Sequence, residues 1–489
     1  MRRQKNVLPP GPPSLPLLGN GWRVPTETSW VYFHSLCQRY GPMLTIRGVG
    51  QTTLVLDKLE DVQELLIRRS GNYSSRKQLI YAGKYRSANR RIIMLPYGSE
   101  LKKQRSAIHT MTNPKAVGGY ERIQEDGSMK LLSGVLDNPG NAYMIIKRFT
   151  SETLLNIIYG KTFGQSDEDL LTLLHVVRTF VVDMHPFRHW VDVFPILDQL
   201  PDLLAPWRVE ARRIGEYDYE FYGRLLREVK TRLDSGEHIE CFAARLWENE
   251  EAIGLDERSM AFAAGSSFEA GTDNNASAIL WFLVVAMHNP SIVKRAQAEI
   301  DDVLGAEGDS VPNFEHLNHL PYNLALVKEV LRWAPLTPLV ASRQSTSDDM
   351  YKGYHIAAGT TVIPNIWAIH HDPDLYPEPH AFNPERYLTR KEDVRPESLI
   401  EGHYTFGFGR RMCPGNHFAA KSIWIAVVRL IWAFNISPPL DNNGQPILPD
   451  TGACRPGITS EPAPFSVSFT PRSKRHVQTI QHAVKPHLD

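Results

Sequence analysis

Apolar side chains return with the 3.6-residue period of a helix over most of this chain, and with the two-residue period of a strand over only short stretches. The longest helical stretch is 257–288, where Met260-Ala-Phe-Ala-Ala264 and Ile279-Leu-Trp-Phe-Leu-Val-Val-Ala-Met287 flank a polar interruption, Glu269-Ala-Gly-Thr-Asp273-Asn274. A second buried helix is predicted over 416–431, carried by Phe418, Ala419, Ile423, Ala426, Val427 and Leu430. Shorter helical patterns fall at 30–40, 60–69, 121–159, 290–303 and 325–332, and 208–233 alternates charges like a solvated amphipathic helix. Strand patterns occupy 43–48 and 52–56, and 354–363 reads as a hairpin. Two segments have no period: 73–99 is basic and turn-rich, and 181–207 is broken by Pro195, Pro201 and Pro206 among aromatics. The pattern predicts a mainly α fold with a smaller β-rich subdomain, one domain over 21–470, and a polar, frayed C-terminal tail over 471–489.

Composition narrows the function without naming it. The 54 basic and 54 acidic side chains cancel, so no global field draws the chain to nucleic acid, and no nucleic-acid partner is expected. Cys37, Cys241, Cys413 and Cys454 stand far apart, which argues against zinc sites and a disulfide framework. No run of 18 apolar residues is present. Residues 1–20 read as a basic, proline-rich hinge, with Arg2, Arg3 and Lys5 before the stiff Leu8-Pro-Pro-Gly-Pro-Pro13.

The chemistry concentrates around one cysteine. In Phe406-Gly-Phe-Gly-Arg-Arg-Met-Cys413-Pro-Gly415, Gly407, Gly409 and Gly415 let the backbone fold tightly around the sulfur and admit a flat ligand. Arg410, Arg411 and the dipole of the following helix are expected to lower the thiol's pKa toward the metal-binding thiolate. A lone Cys-Pro-Gly is more often a buried free cysteine. Here the wider pattern, Phe406-x-x-Gly409-x-Arg411-x-Cys413-x-Gly415, resembles the haem-binding signature of the cytochrome P450 family at every fixed position. The resemblance implies a P450 fold, with haem b held through Cys413 as axial iron ligand, Phe406 and Gly415 shaping the loop, and Arg411 on a haem propionate.

Further motifs match the family in order. Ala270-Gly271-Thr272-Asp273-Asn274 resembles the Ala-Gly-x-Asp/Glu-Thr segment of the distal helix, implying that Gly271 leaves room for dioxygen and Asp273 relays protons. Asn274 stands where the family has an alcohol, and an amide does not exchange protons as a hydroxyl does. Glu329, Arg332 and Arg386 match a structural triad that holds the cysteine loop. Around Leu101 and Lys102 the chain departs from the family's Trp-Arg; Arg105, Lys102 and Arg343 are the further propionate candidates. Ala270, Leu336, Leu339, Val340 and Ser460 are expected to border the substrate pocket.

The resemblance implies electrons from NADPH through NADPH-cytochrome P450 reductase, dioxygen as co-substrate, and a monomer. Lys102, Lys103, Arg410 and Lys421 are candidate reductase contacts. The basic start followed by prolines is similar to the segment after a microsomal membrane anchor, which implies the cytosolic face of the endoplasmic reticulum, with the anchor missing here. The motif wording resembles the fungal secondary-metabolism branch, whose substrates are aromatic or polyketide-like small molecules. Three explanations of Asn274 stay open: water ordered by the amide in an ordinary monooxygenase, a hydroxyl supplied by the substrate, or phenol or aryl coupling without oxygen insertion. His316, His319 and His370-His371-Asp372 are read as structural.

Overall fold

The computed structural model describes residues 7–16, 18–161, 168–185, 188–388, 398–455 and 459–484. The basic cluster Arg2, Arg3 and Lys5 lies outside them. The principal elements are α1 (Ser29–Tyr40), β1 (Met43–Gly48), β2 (Gln51–Leu56), α2 (Ser99–Thr112), α3 (Glu121–Asp137), α4 (Ala142–Tyr159), α5 (Glu168–Asp183), α6 (Pro206–Asp234), α7 (Glu257–His288), α8 (Pro290–Leu304), α9 (Pro321–Trp333), β3 (Arg343–Gln344), β4 (Asp349–Tyr351), β5 (Tyr354–Ile356), β6 (Thr361–Pro364), α10 (Asn416–Ala433), β7 (Phe434–Ser437), β8 (Ser468–Pro471) and α11 (Lys474–Val484). The mainly α architecture with small sheets is as expected. No single helix among the described residues is long and apolar enough to cross a membrane.

The polar interruption in α7 separates two hydrophobic cores. Ile279, Phe282 and Leu283 pack with Val327 and Leu331 of α9 and Ile423, Trp424 and Val427 of α10. Met260, Phe262 and Phe268 pack instead with Leu154 and Ile158 of α4, Leu173 of α5 and Leu225 of α6. Buried apolar area on both sides of residues 269–274 therefore fixes where those polar groups sit. The helix starts at Asp256, whose carboxylate accepts from the Ser259 N–H at 2.8 Å.

The main sheet has the order β1-β2-β6-β3. β1 and β2 are antiparallel with Met43 opposite Leu56, β2 and β6 are parallel with Thr53 opposite Thr361, and β3 places Arg343 opposite Val362. The hairpin expected over 354–363 forms one strand earlier. Lys352 and Gly353 both take positive φ (48° and 78°), as a two-residue hairpin turn needs, so β5 pairs back onto β4 and β6 joins the main sheet. The tail also differs from expectation: α11 docks through buried His476 and Ile480, and Arg472 before it pairs with Asp301 at 2.5 Å.

The irregular 73–99 segment contains a wide helical turn, Ile80–Arg86, fastened to the helices above the site by buried charge. Arg86 donates to Asp183 of α5 at 2.7 Å and Asp218 of α6 at 3.0 Å; Arg91 reaches Asp218 at 2.6 Å and Glu269 of α7 at 3.2 Å. The Tyr222 hydroxyl donates to Glu269 at 2.5 Å. Two glycines permit this approach. A Cβ on Gly215 would lie 2.2 Å from the Arg86 carbonyl oxygen, and one on Gly265 would lie 2.6 Å from the Tyr222 ring.

Candidate active site

The cysteine loop hangs from α9 and the segment after it. Glu329 receives Arg332 at 2.8 Å and Arg386 at 3.1 Å, with Glu329 and Arg332 fully buried. Arg332 also donates to the carbonyls of His370 and Pro379, at 2.7 and 2.9 Å. His370 donates from Nδ1 to the Arg332 carbonyl at 2.8 Å and accepts the Tyr404 N–H on Nε2 at 2.8 Å. Only a neutral imidazole can do both, and burial pushes the His370 pKa well below its ordinary value. The Thr405 hydroxyl donates to the Leu331 carbonyl at 2.6 Å. The triad thus acts through His370 and Thr405 on the strand of chain that enters Phe406. His370-His371-Asp372 is structural, as expected: His371 donates to the Trp367 carbonyl and Asp372 pairs with Lys58.

The Cys413 N–H donates to the Phe406 carbonyl at 2.8 Å, closing the loop. Gly407 and Gly409 take φ of 73° and 54°, and a Cβ on Gly409 would meet the Leu66 carbonyl oxygen at 2.3 Å. Gly415 has an ordinary φ of −90°, and a Cβ there would meet nothing within 4 Å. The expected lowering of the thiol pKa is outweighed. Burial raises it, while the Gly415 N–H and the Arg105 charge pull the other way. Bound iron would be the charge that fixes the thiolate.

Three of the four propionate candidates converge on this loop, and a fourth guanidinium joins them. Arg105 donates to the Met412 carbonyl at 3.0 Å, Arg343 to Phe408 at 3.0 Å, and Arg411 to Ser74 and Leu95 at 2.9 and 2.6 Å. Arg76, missed in the sequence, donates to the Ser342 carbonyl at 2.8 Å. Among the described residues no carboxylate pairs with any of the four. Arg76 Nε and Arg343 Nε and Nη1 are buried without a partner. Burial pushes Arg76, Arg343 and Arg411 each down to about 9, and neighbouring guanidiniums push them in the same direction. Such a group of uncompensated cations calls for anions, and two propionates fit it. Lys102 is corrected: one residue out of phase with Leu101, it is solvent-exposed over the Tyr97 ring at 5.4 Å. Among the reductase candidates, Lys103 donates to the Gly254 carbonyl, Arg410 to the Tyr97 hydroxyl, and Lys421 pairs with Glu121.

On α7, Asn274 donates from Nδ2 to the Ala270 carbonyl at 2.7 Å, while its Oδ1 is buried without a partner. Thr272 faces away, its hydroxyl on the Phe268 carbonyl and its own carbonyl accepting from Thr150. Gly271 faces α4 closely: a Cβ there would lie 2.7 Å from Leu154 Cδ1, the end of a flexible side chain. The Asp273 carboxylate accepts from Lys147 Nζ at 2.7 Å; the same ammonium lies 2.7 Å from Glu461. Leu336 and Ser460 meet, the Ser460 N–H donating to the Leu336 carbonyl at 2.8 Å. Leu339 does not join them. It packs against the cluster of Phe33, Cys37 and Ile46, and Val340, in the left-handed region at φ 43°, packs on the cluster around Phe408.

A cysteine thiol in a glycine-rich loop, with guanidiniums gathered on that loop that have no carboxylate partner among the described residues, makes the socket of a haem-thiolate oxidoreductase. The comparisons agree. The cytochrome P450 family model matches residues 9–469, and the chain belongs to that family. Cytochrome P450 monooxygenase 58 of Postia placenta is 34% identical over 475 residues, covering 96% of this chain and 90% of that protein. Cytochrome P450 monooxygenase virE of Hypocrea virens is 31% identical over 492 residues, covering 98% and 88%. A zebra fish cytochrome P450 solved with progesterone shares the fold with a TM-score of 0.76 at 23% identity, covering 91% of this chain and 99% of that one. The protein is a P450 monooxygenase similar to fungal ones.

Proposed function

We propose that the protein binds haem b through Cys413 and oxidises an aromatic or polyketide-like small molecule of secondary metabolism, taking electrons from NADPH through NADPH-cytochrome P450 reductase. The observation that carries this is the Cys413 loop with four guanidiniums gathered around it that have no carboxylate partner among the described residues. When bound, haem supplies dioxygen activation. The chain's own groups do the rest. Arg76, Arg105, Arg343 and Arg411 hold the propionates, Asp273 handles protons, and Asn274 keeps the Ala270 carbonyl occupied while offering Oδ1 as an acceptor. Phe194 and Ile196 of the proline-broken segment border a cleft of about 550 Å³ together with Gly50, Thr52, Lys77 and Thr360, which supports this face as the substrate entrance. Beside it, Trp190, Ile196, Leu203 and Leu204 are all more than half exposed, which supports contact with the endoplasmic reticulum membrane on its cytosolic face.

The second reading is oxidative phenol or aryl coupling, favoured by the amide in place of an alcohol at Asn274. Reconstitution with the reductase under labelled dioxygen separates the two. Label in the product means oxygen insertion; loss of two hydrogens without label means coupling. Under the coupling reading, Asn274→Thr lowers turnover or shifts it toward hydroxylated product, and unchanged products reject a special role for the amide. Absence of the red-shifted Soret band of the reduced carbon-monoxide complex in folded, haem-loaded protein would overturn both readings.

A further inference from the structure

Among the described residues, the cleft beside the proline-broken segment has one charged residue in its lining, Lys77. The rest is apolar or neutral. Phe194 and Ile196 come from the proline-broken segment, and Gln51, Thr52 and Thr361 come from the starts of β2 and β6. The side chains of Gln51, Thr52 and Thr361 make no hydrogen bond among the described residues, so their donors and acceptors are unspent.

Lys77 is half-buried, and its ammonium pairs with no carboxylate and makes no hydrogen bond among the described residues. Burial pushes its pKa below the ordinary lysine value, and the charge of Asp192 pulls the other way. Asp192 is committed elsewhere: its Oδ1 accepts the N–H groups of Ile80 and Tyr81. Lys84, further along the same segment, shows the ordinary arrangement, exposed and paired with Asp198 at 2.5 Å. A partly desolvated cation without a counter-ion favours an anionic occupant over a neutral one of the same shape. Lys77 also follows directly on Arg76 of the ring around the cysteine loop, so a molecule held by it stands next to the proposed haem socket.

We infer that Lys77 selects the substrate: its ammonium recognises a carboxylate on an otherwise apolar aromatic molecule whose body lies against Phe194 and Ile196, with the neutral polar side chains of β2 and β6 as further donors. An acid is favoured over a phenol because at neutral pH the carboxyl group is ionised, and a phenol, with an ordinary pKa of about 10, is not. The inference names the substrate class of the proposed oxidase and rests on the reading of this cleft as its entrance.

The test uses the haem-loaded protein near neutral pH and two probes of equal size that differ in charge, naphthoate and naphthamide, with their dissociation constants read by equilibrium dialysis. The parent is expected to bind naphthoate about tenfold or more tighter than naphthamide, the effect of one charge-assisted hydrogen bond. Lys77→Met should remove that preference by weakening naphthoate alone, and Lys77→Arg should keep most of it. Lys77→Glu should reverse it, so that naphthylmethylamine, a cation, becomes the tighter ligand. Because Lys77 carries no ion pair, Lys77→Met should leave the denaturant midpoint unchanged, which separates lost recognition from lost folding. A preference for naphthoate that survives Lys77→Met overturns the inference, as does equal weakening of both probes or a parent that does not distinguish them. Dialysis needs no turnover. A failure here therefore leaves the carbon-monoxide band and the labelled-dioxygen result untouched, and a failure of those leaves the charge preference standing as a binding property of the cleft.

Discussion

Arg76 has no motif to announce it, and yet it completes the cationic ring around the cysteine loop. It lies in a segment without periodicity, and its partner is a backbone carbonyl contributed by Ser342, far away in the chain. Arg411, by contrast, was readable because it is fixed two residues from Cys413. Removing Arg76 tests whether the ring binds carboxylates. Arg76→Leu is expected to weaken haem retention by about tenfold or more, the effect of losing a charged hydrogen bond of roughly 1.5–3 kcal/mol, followed as transfer of haem to a competing apoprotein. Gly271 shows another case, a residue seen in the sequence through its motif, to which the structure adds a contact with Leu154 that the motif does not carry. Gly271→Ala gains about 1 kcal/mol of helix propensity and asks only the end of the Leu154 side chain to move, so stability measured by denaturant unfolding should change by less than about 1 kcal/mol.

At the scale of elements, the long helices were legible because their apolar period runs uninterrupted, and α7 matches the predicted 257–288 at both ends. The hairpin was misplaced because alternation alone does not say which neighbour a strand joins. Lys352-Gly353 decided it through backbone conformation, and β6 found its partner 300 residues away in β2, a pairing that no local pattern carries. The link from α9 to the cysteine loop makes a firm expectation. Glu329→Ala leaves buried Arg332 and half-buried Arg386 without their carboxylate, and should destabilise the fold by about 3–5 kcal/mol with loss of haem on purification. Glu329→Asp, which keeps the charge, should lose less; equal loss from both would mean that shape rather than charge holds the segment.

For the whole molecule, acid is the informative stress. Burial pushes His371 down to about 3 and His403 down to about 4, from an ordinary value of 6.5. Between those values the unfolded chain binds more protons than the folded one, so stability falls as pH drops from 6.5 toward the folded values, by up to about 1.4 kcal/mol per pH unit for each group. His403→Phe removes one of these titrations at the cost of one hydrogen bond among the described residues, to the Leu399 carbonyl at 3.1 Å. The variant's denaturant midpoint should therefore decline less between about pH 6.5 and about pH 4 than that of the parent. An unchanged decline would mean that His403 stays neutral in neither state or titrates alike in both.

The buried charges above the site have a consequence for recombination between relatives. Arg86 and Arg91 pair with Asp183, Asp218 and Glu269, which belong to three other helices, and Gly215 and Gly265 make the approach sterically possible. A crossover that imports residues 80–91 alone would strand carboxylates in the interior or wedge side chains against ring and carbonyl. Breeding new selectivity into this scaffold by swapping that segment will work only when the five helical positions travel with it, as one heritable block scattered along the gene.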